Sequence, residues 1–373
     1  MNDILTTLKN TLTNTGFWGA IIATIAIITL GFVLTKAKVL KAEWKGSLNA
    51  VVLKIALPAL AISGFMKNIT IKQLQEQGII LGVSFAFYVL LCVIAFVLTT
   101  YAPNFVPRRM KVNIDGTVAQ SESKALVTWM MLIFGSVTFF GLPIINVIDN
   151  GAGVIPANIW TIPYRIFLYS YCFMVMSGLK FDRQNIAKSV KTAFLNPIVI
   201  ATFVGLIFWM TQLIPGASVF DKNFTTGTAK ATNGWFNLSV TMPYFYTPIQ
   251  TLGRLASPLV WISIGMTLAV SNIKKAVTSP AVWVFTALKL IVIPLIVFLV
   301  FLGLNRSGNV TKEAATAMVI FAATPPATVV IAYAMQYKRN EEYAVLCSAL
   351  STLFAIIAIP VWIVISKAAF IYI

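Results

Sequence analysis

Ten long apolar runs constrain the fold of this chain more than any other feature. They lie at 16–35, 46–66, 79–100, 125–148, 157–179, 196–214, 249–271, 281–303, 314–336 and 343–366. Each is close to the roughly 20 residues that a helix needs to cross a bilayer. Because lipid offers the backbone no hydrogen-bond partner, such runs must be helical. The sequence therefore predicts an all-α polytopic membrane protein with ten transmembrane helices, which we number spans 1 to 10.

The composition agrees with this class. Hydrophobic residues make up 58% of the chain and charged residues only 10%, against about 25% charged residues in an ordinary soluble domain. The mean hydropathy is +0.86. A membrane β-barrel would show short segments of alternating hydrophobicity, and these runs do not alternate.

The net charge of +17 would also suit a nucleic-acid-binding protein. However, sixteen of the Lys and Arg residues lie in connections after odd-numbered spans, and eight lie on the opposite side. Cytoplasmic connections of membrane proteins carry such an excess, which places both termini outside. The charge therefore indicates topology and lipid contact in the cytoplasmic membrane, with no nucleic-acid partner.

A short repeat reveals the organisation of the chain. KIALPALAISGFM (54–66) in span 2 resembles RLASPLVWISIGM (254–266) in span 7, and the shared polar or helix-breaking positions are Lys54 and Arg254, Pro58 and Pro258, Ser63 and Ser263. Each copy is the second span of a five-span half. Because five is odd, the second half enters the membrane from the opposite side, as in an inverted-topology repeat. The predicted units are a first repeat over 16–179, a cytosolic linker over 180–195 and a second repeat over 196–367.

Spans 4 and 9 carry helix-breaking residues at matching positions of the two halves. Span 4 reads FGSVTFFGLPIINVI and span 9 reads IFAATPPATVVIAYA; the candidate residues are Thr138, Gly141, Pro143, Thr324, Pro325, Pro326 and Thr328. Proline removes a backbone donor and interrupts a helix, and the N-terminus of a half-helix attracts an anion. The alternative is that these prolines only kink helices for packing. The matched positions favour a binding site where the two broken helices cross.

Every ionisable residue within a span is a cation: Lys54, Arg165, Arg254 and Lys289. None of the eleven acidic residues lies in a span, and the chain has no histidine, so an anionic substrate is favoured. Arg165 and Lys289 lie roughly 12 Å deep. Each could neutralise a bound carboxylate or bond carbonyls freed at the crossing. Lys54 and Arg254 lie toward the entry ends of their spans, where they could instead extend to the interface.

Enzyme and metal motifs are missing from the sequence. Without histidine there is no Ser-His-Asp triad and no His-ligated zinc site, and no GxxxxGK[ST] phosphate loop occurs. The three cysteines are far apart, each within a predicted span. We therefore expect no enzyme activity, no cofactor and no metal.

Several stretches resemble the auxin efflux carrier family of secondary transporters: LPALAISGF, FFGLPI, SPLVWISIGMTL, ATPPATVVIAYAMQY and STLFAIIAIPVWI. The resemblance covers about 16–366 and is greatest to the malate permeases of lactic acid bacteria. The family motif in span 4 usually has an asparagine before the GF-x-G-x-P core. This chain has only Ser136 and Thr138 as nearby polar side chains, which leaves the substrate open.

The resemblance implies a 5+5 inverted repeat with a scaffold of spans 1, 2, 6 and 7, a moving domain of spans 3–5 and 8–10, crossed broken helices 4 and 9, and a homodimer. The expected function is secondary transport of malate or a related dicarboxylate by alternating access, as uniport or exchange. Arg165 and Lys289 would assist the span 4 and 9 residues, and Pro58, Ser63, Arg254, Pro258 and Ser263 would shape scaffold helices along the path. The alternatives are another weak-acid anion, such as an auxin-like, branched or aromatic carboxylate, and less directly an anion channel or a membrane sensor.

Overall fold

The computed structural model describes residues 13, 15–67, 71–101, 118–178, 183–184, 187, 191, 194–214, 218–220, 232–234 and 236–370. Within these ranges the main helices are α1 Thr15–Lys36, α2 Trp44–Gly64, α3 Ile71–Tyr101, α4 Val118–Ile133, α5 Val137–Val147, α6 154–177, α7 Pro197–Leu213, α8 Pro243–Val270, α9 Pro280–Arg306, α10 Lys312–Ala322, α11 Thr328–Gln336 and α12 Glu341–Ala369. A small antiparallel pair, β1 Ser218–Phe220 and β2 Thr232–Gly234, lies between α7 and α8.

The helices follow the predicted spans in order, with spans 4 and 9 each divided into two helices. Five helices among the described residues, α2, α3, α8, α9 and α12, are long and apolar enough to cross a membrane. Shorter apolar segments lie in α1, α4, α5 and α7. These helices support an all-α multi-pass membrane protein, and the count of ten crossings stays a prediction.

Three of the prolines inside helices closely follow wide π turns. Such turns directly precede Leu57-Pro58 in α2, Leu142-Pro143 at α5 and Ile293-Pro294 in α9. Proline has no N–H to donate to the carbonyl four residues earlier. A π turn before the proline accommodates the missing hydrogen bond. In α9 the carbonyl of Leu290 instead accepts a hydrogen bond from Trp362 Nε1 of α12 at 2.9 Å. The proline positions therefore set where these helices deform.

Helices α1, α2, α7 and α8 pack closely on one another through glycines. A Cβ added at Gly31 of α1 would lie 2.5 Å from the carbonyl oxygen of Ile262 in α8, and one at Gly265 would lie 2.1 Å from the carbonyl oxygen of Ile28. A Cβ at Gly205 of α7 would lie 2.6 Å from the ring of Phe65, which directly follows α2. Only glycine permits such approaches, so these four helices form one closely packed group.

The other helices form a second group. Ser84 of α3 donates to the carbonyl of Trp160 in α6 at 2.8 Å, and the Trp160 indole donates to the Tyr88 hydroxyl at 3.2 Å. The Glu76 carboxylate of α3 accepts bonds of 2.7 Å from the backbone and hydroxyl of Thr311, the N-cap of α10. Helices α9 and α12 pack against this set. Polar contacts thus join the second group.

Helix α8 begins at Pro243, ahead of the apolar run of span 7 that starts at 249. The stretch PYFYTP is too polar and aromatic for an apolar run, yet proline suits the first turn of a helix. Arg254 consequently ends the first part of α8, and the second part starts at Ala256. The expectation that Arg254 and Lys54 lie toward the entry ends of their helices is wrong. Residues 243–253 of α8 precede Arg254, and residues 44–53 of α2 precede Lys54.

Candidate functional site

The interruptions of the two broken helices bind to each other. Between α4 and α5, and between α10 and α11, the chain is extended where Gly135 pairs with Pro326 in an antiparallel bridge. The Ser136 N–H donates to the Pro325 carbonyl at 2.6 Å, and the Ala327 N–H donates to the Phe134 carbonyl at 2.9 Å. Backbone groups that the helix interruptions would leave without partners are satisfied across the crossing.

The crossing depends on residues without bulk or without backbone donors. Pro325 and Pro326 have no N–H, so neither can continue the α10 ladder. A Cβ at Gly135 would lie 2.4 Å from Thr324 Oγ1, and one at Gly141 would lie 2.5 Å from the Phe321 ring. Two glycines on one chain segment and two prolines on the other therefore permit this close approach.

Helices α5 and α11 both begin at one side of the crossing, beside a small buried cavity. The cavity is lined by Ser136, Thr138, Phe139, Tyr164, Arg165, Leu168, Tyr169, Ala327, Thr328 and Val329, with Leu53 of α2 and Ile198 of α7. It therefore lies between the two helix groups. Its volume of about 20 Å³ is room for a single water molecule, so an organic anion needs a conformation in which the groups have moved apart.

Arg165 is the charged group of this cavity. The residue is 1% exposed, and neither of its Nη atoms has a hydrogen-bond partner among the described residues. In that same part of the chain, the one ion pair joins Lys275 to Glu342. A buried charge without a partner is destabilising by roughly several kcal/mol. Two helix N-termini add further positive potential, so the electrostatic potential of the cavity is positive.

On the opposite side of the crossing, the helix ends carry partial charge of the opposite sign. Here α4 and α10 end, at Ile133 and Ala322, and helix C-termini carry partial negative charge. Lys289 of α9 is 1% exposed, and its ammonium donates to the Leu132 carbonyl at 2.8 Å. Lys289 also lines a second cavity of about 20 Å³ that touches Gly135 and Phe321. The two buried cations thus lie beside helix ends of opposite sign.

The structure divides the predicted site residues between these two sides. Arg165, Thr138 and Thr328 line the first cavity. Lys289 lies on the second side, where the Thr324 hydroxyl donates to the Phe321 carbonyl at 2.7 Å. Of the remaining predicted residues, Pro325 and Pro326 form the crossing itself. Gly141 packs against the Phe321 ring, and Pro143 lies within α5, after the interruption.

The predicted path residues of α2 and α8 make other contacts. Ser263 donates to Asn49 Oδ1 at 2.6 Å, which ties α8 to α2, and Ser63 donates to the Leu60 carbonyl of its own helix at 3.0 Å. Arg254 is exposed, and Pro58 and Pro258 are partly buried. None of these residues lines the cavity beside Arg165.

Three contributors were missed from the sequence. The Tyr164 hydroxyl donates to the Gly135 carbonyl at 2.7 Å, which anchors the crossing to α6. Tyr169 shares the cavity with Arg165, and Ser257 of α8 donates to the Pro143 carbonyl at 3.3 Å. For Tyr164 and Tyr169, the only signal in the sequence was the nearby Arg165. Ser257 lies beside the repeated proline, but its partner is distant in sequence.

Apolar helices, two interrupted helices that cross and buried cations at their ends define a multi-pass α-helical membrane protein with a crossover site. Comparison with known families identifies it further. A family model described as "Membrane transport protein" matches residues 17–363. The chain belongs to this family, the auxin efflux carrier family that the sequence motifs resemble. It is therefore a membrane transporter, and the family assignment indicates no enzyme activity. No curated protein matches the chain.

Proposed function

We propose that this protein is a secondary carrier of a small organic anion, with malate or a related dicarboxylate as the first candidate. The observation that carries the proposal is the buried guanidinium of Arg165, whose Nη atoms have no partner in the described part of the chain. It lies beside the first turns of α5 and α11, whose amides have no intrahelical acceptor. A carboxylate supplies both the missing charge and the missing acceptors.

The proposed carrier has ten spans in two inverted five-helix repeats and lies in the cytoplasmic membrane with both termini outside. In this scheme α1, α2, α7 and α8 are a scaffold, through which two copies form a homodimer. The remaining helices, which include the crossing, move against this scaffold. The location of the cavity between Leu53 and Ile198 on one group and Arg165 on the other supports alternating access. Movement between the groups opens the cavity and carries the anion from one side to the other.

A weak monocarboxylic acid with an apolar or aromatic body is the second candidate. The cavity offers one cation, and Phe139, Tyr164, Leu168 and Tyr169 supply much of its wall. One guanidinium neutralises one carboxylate, which suits a monocarboxylate or a dicarboxylate that carries a proton on its second group. If the substrate is a monocarboxylate, the aromatic walls favour one with an apolar body.

Transport by purified protein in liposomes tests the proposal. We expect saturable uptake of labelled malate, accelerated by unlabelled malate inside the vesicles, because an exchanging carrier returns faster when loaded. Unlabelled succinate, lactate, branched carboxylates and indole-3-acetate would rank the two candidates by competition. Absence of saturable flux for every anion of the panel would refute the carrier. Large conductance without stimulation from the opposite side would indicate a channel instead.

A further inference from the structure

Lys289 is the second buried cation of the crossing, and its surroundings differ from those of Arg165. Its ammonium donates to the Leu132 carbonyl at 2.8 Å in the last turn of α4. A Cβ built on Gly135 would lie 3.3 Å from the ammonium and 3.4 Å from the Phe321 carbonyl oxygen in the last turn of α10. The ammonium therefore bonds the C-terminal end of α4 directly, and both it and the C-terminal end of α10 adjoin Gly135.

No acidic side chain pairs with this lysine in the described ranges, where the one ion pair is Lys275 with Glu342. Its negative environment comes from backbone carbonyls and helix dipoles alone. Carbonyls at the ends of broken helices are the ligands that transporters use for small coupling cations. In this chain, Lys289 of α9 places a covalently attached positive charge at that position.

The anion cavity lies on the other side of the crossing. Arg165, Thr138 and Thr328 line that cavity, and Lys289 does not. The cavity beside Lys289 is bordered by Tyr88, Trp160 and Met318, all from the second helix group. Neither α2 nor α7 borders this cavity, so it does not lie between the two helix groups. Alternating access requires a substrate site between the groups.

We propose that Lys289 is a built-in counter-cation that holds the crossing of α4 and α10 in place, and that it does not bind the transported anion. The ammonium makes the site independent of a dissolved cation. Without the ammonium, the Leu132 carbonyl would lose its partner and, with the helix C-termini beside it, would form a site for a small monovalent cation. The proposal concerns the crossing itself and holds whichever anion the carrier transports.

Thermal unfolding of purified protein without any transported anion tests this role. The variants are Lys289→Met, which keeps the length of the side chain and removes the charge, and Lys54→Met as a control from an exposed lysine of α2. Each is measured in NaCl, LiCl, methylammonium chloride and choline chloride at equal ionic strength. Choline is too large for a cavity of about 20 Å³.

We expect wild type and Lys54→Met to unfold at the same temperature in all four salts. Lys289→Met should lose about 5 °C in choline, since a bond to a charged group is removed, and should regain at least half of that loss in a small cation. Equal stability of Lys289→Met and wild type in choline would overturn the proposal. So would a failure of sodium, lithium and methylammonium alike to stabilise Lys289→Met.

Flux measurements separate this inference from the proposed function. Wild-type uptake should not change when sodium and potassium are replaced by choline, whereas uptake by Lys289→Met should require a small cation. If wild type transports nothing, the proposed function fails while the unfolding result still decides the role of Lys289. If malate stabilises wild type but not Lys289→Met, with no effect of small cations, Lys289 is a substrate ligand and the counter-cation role is excluded.

Discussion

At the residue scale, the two buried cations have different neighbours despite similar burial. Arg165 lies beside helix N-termini with neither Nη atom bonded in the described chain. Lys289 lies beside helix C-termini and donates to a backbone carbonyl. A cation near a C-terminus is stabilised by the helix, and a cation near an N-terminus is not. The neighbouring helix ends therefore stabilise the charge of Lys289 and oppose that of Arg165.

The first prediction concerns Arg165. We expect Arg165→Met to weaken binding of the transported anion by about 10- to 100-fold, because a charge-assisted bond contributes about 1.5–3 kcal/mol. Arg165→Lys should retain part of the affinity, since the charge remains but the planar pair of donors is lost. Binding is measured by calorimetry or by concentration-dependent uptake.

The matched control is Lys54→Met, which removes an exposed cation of α2. It should change affinity less than threefold. In the absence of the anion, Arg165→Met should be at least as stable as wild type, because it removes a buried charge without a partner. Similar losses of affinity in both variants would show that the anion site is elsewhere.

At the element scale, the crossing of α4–α5 with α10–α11 is held by backbone pairing and permitted by glycine. The pairing of Gly135 with Pro326 leaves no room for side chains at Gly135 or Gly141. Proline alone would only interrupt each helix. Each segment donates one N–H and accepts one, from Ser136 to Pro325 and from Ala327 to Phe134, which makes the two interruptions complementary.

The second prediction concerns Gly141. Gly141→Ala should destabilise the protein by about 1–3 kcal/mol, because its Cβ would lie 2.5 Å from the Phe321 ring. The measurement is the thermal unfolding of purified protein, together with its rate of anion uptake. We expect the rate of uptake to fall by more than the level of expression, since the crossing lies beside the cavity that Arg165 lines.

Gly303→Ala in α9 is the control, because nothing lies within 4 Å of a Cβ at that position. It should be neutral or slightly stabilising, since alanine is the better helix former. If Gly141→Ala were as stable and as active as Gly303→Ala, the close crossing would not be required.

At the scale of the whole molecule, few polar bonds join the two helix groups. Lys67, just after α2, donates to the Gly151 carbonyl at 3.0 Å, and Ser257 of α8 donates to the Pro143 carbonyl at 3.3 Å. Near Lys67, a Cβ at Gly64 would lie 3.6 Å from the Cβ of Val154 in α6. These contacts must break if the groups move apart to admit an anion.

The third prediction is that a disulfide between the groups stops transport. The Cβ separation of 3.6 Å between positions 64 and 154 lies within the range of disulfides. We expect Gly64→Cys with Val154→Cys to lose uptake on oxidation and to recover it on reduction. The measurement is uptake by liposomes before and after each treatment, with crosslinking followed by electrophoretic mobility.

The control disulfide lies within one group. A Cβ at Gly153 would be 3.1 Å from the Cβ of Ala317 in α10, so a small shift of the backbone brings the pair to the separation of a disulfide. Both positions belong to the second group. Oxidised Gly153→Cys with Ala317→Cys should keep its uptake. Retained uptake in the oxidised Gly64–Val154 pair would contradict movement between the groups.

The sequence predicted the class of protein and most helices, because the length and polarity of an apolar run are local properties. It located the interruption of span 9 at Pro325 and Pro326, because proline acts on the backbone around it. In span 4 the interruption lies at 134–136, before the predicted Gly141 and Pro143, which are helical. It did not show where α8 starts, because aromatic and polar residues enter that helix without an apolar signal. It missed Tyr164, whose bond to Gly135 joins residues 29 positions apart.

By itself, the sequence determined that this chain is a helical membrane protein with cations but no acids in its predicted spans. It left two roles open for each buried cation, because periodicity and depth do not show which helix end a side chain meets. The tertiary structure decided the neighbours: the α5 and α11 N-termini beside Arg165, and the α4 and α10 C-termini beside Lys289. The electrostatic sign of a helix end is felt only over its last turn, so only the folded packing could assign each cation its environment.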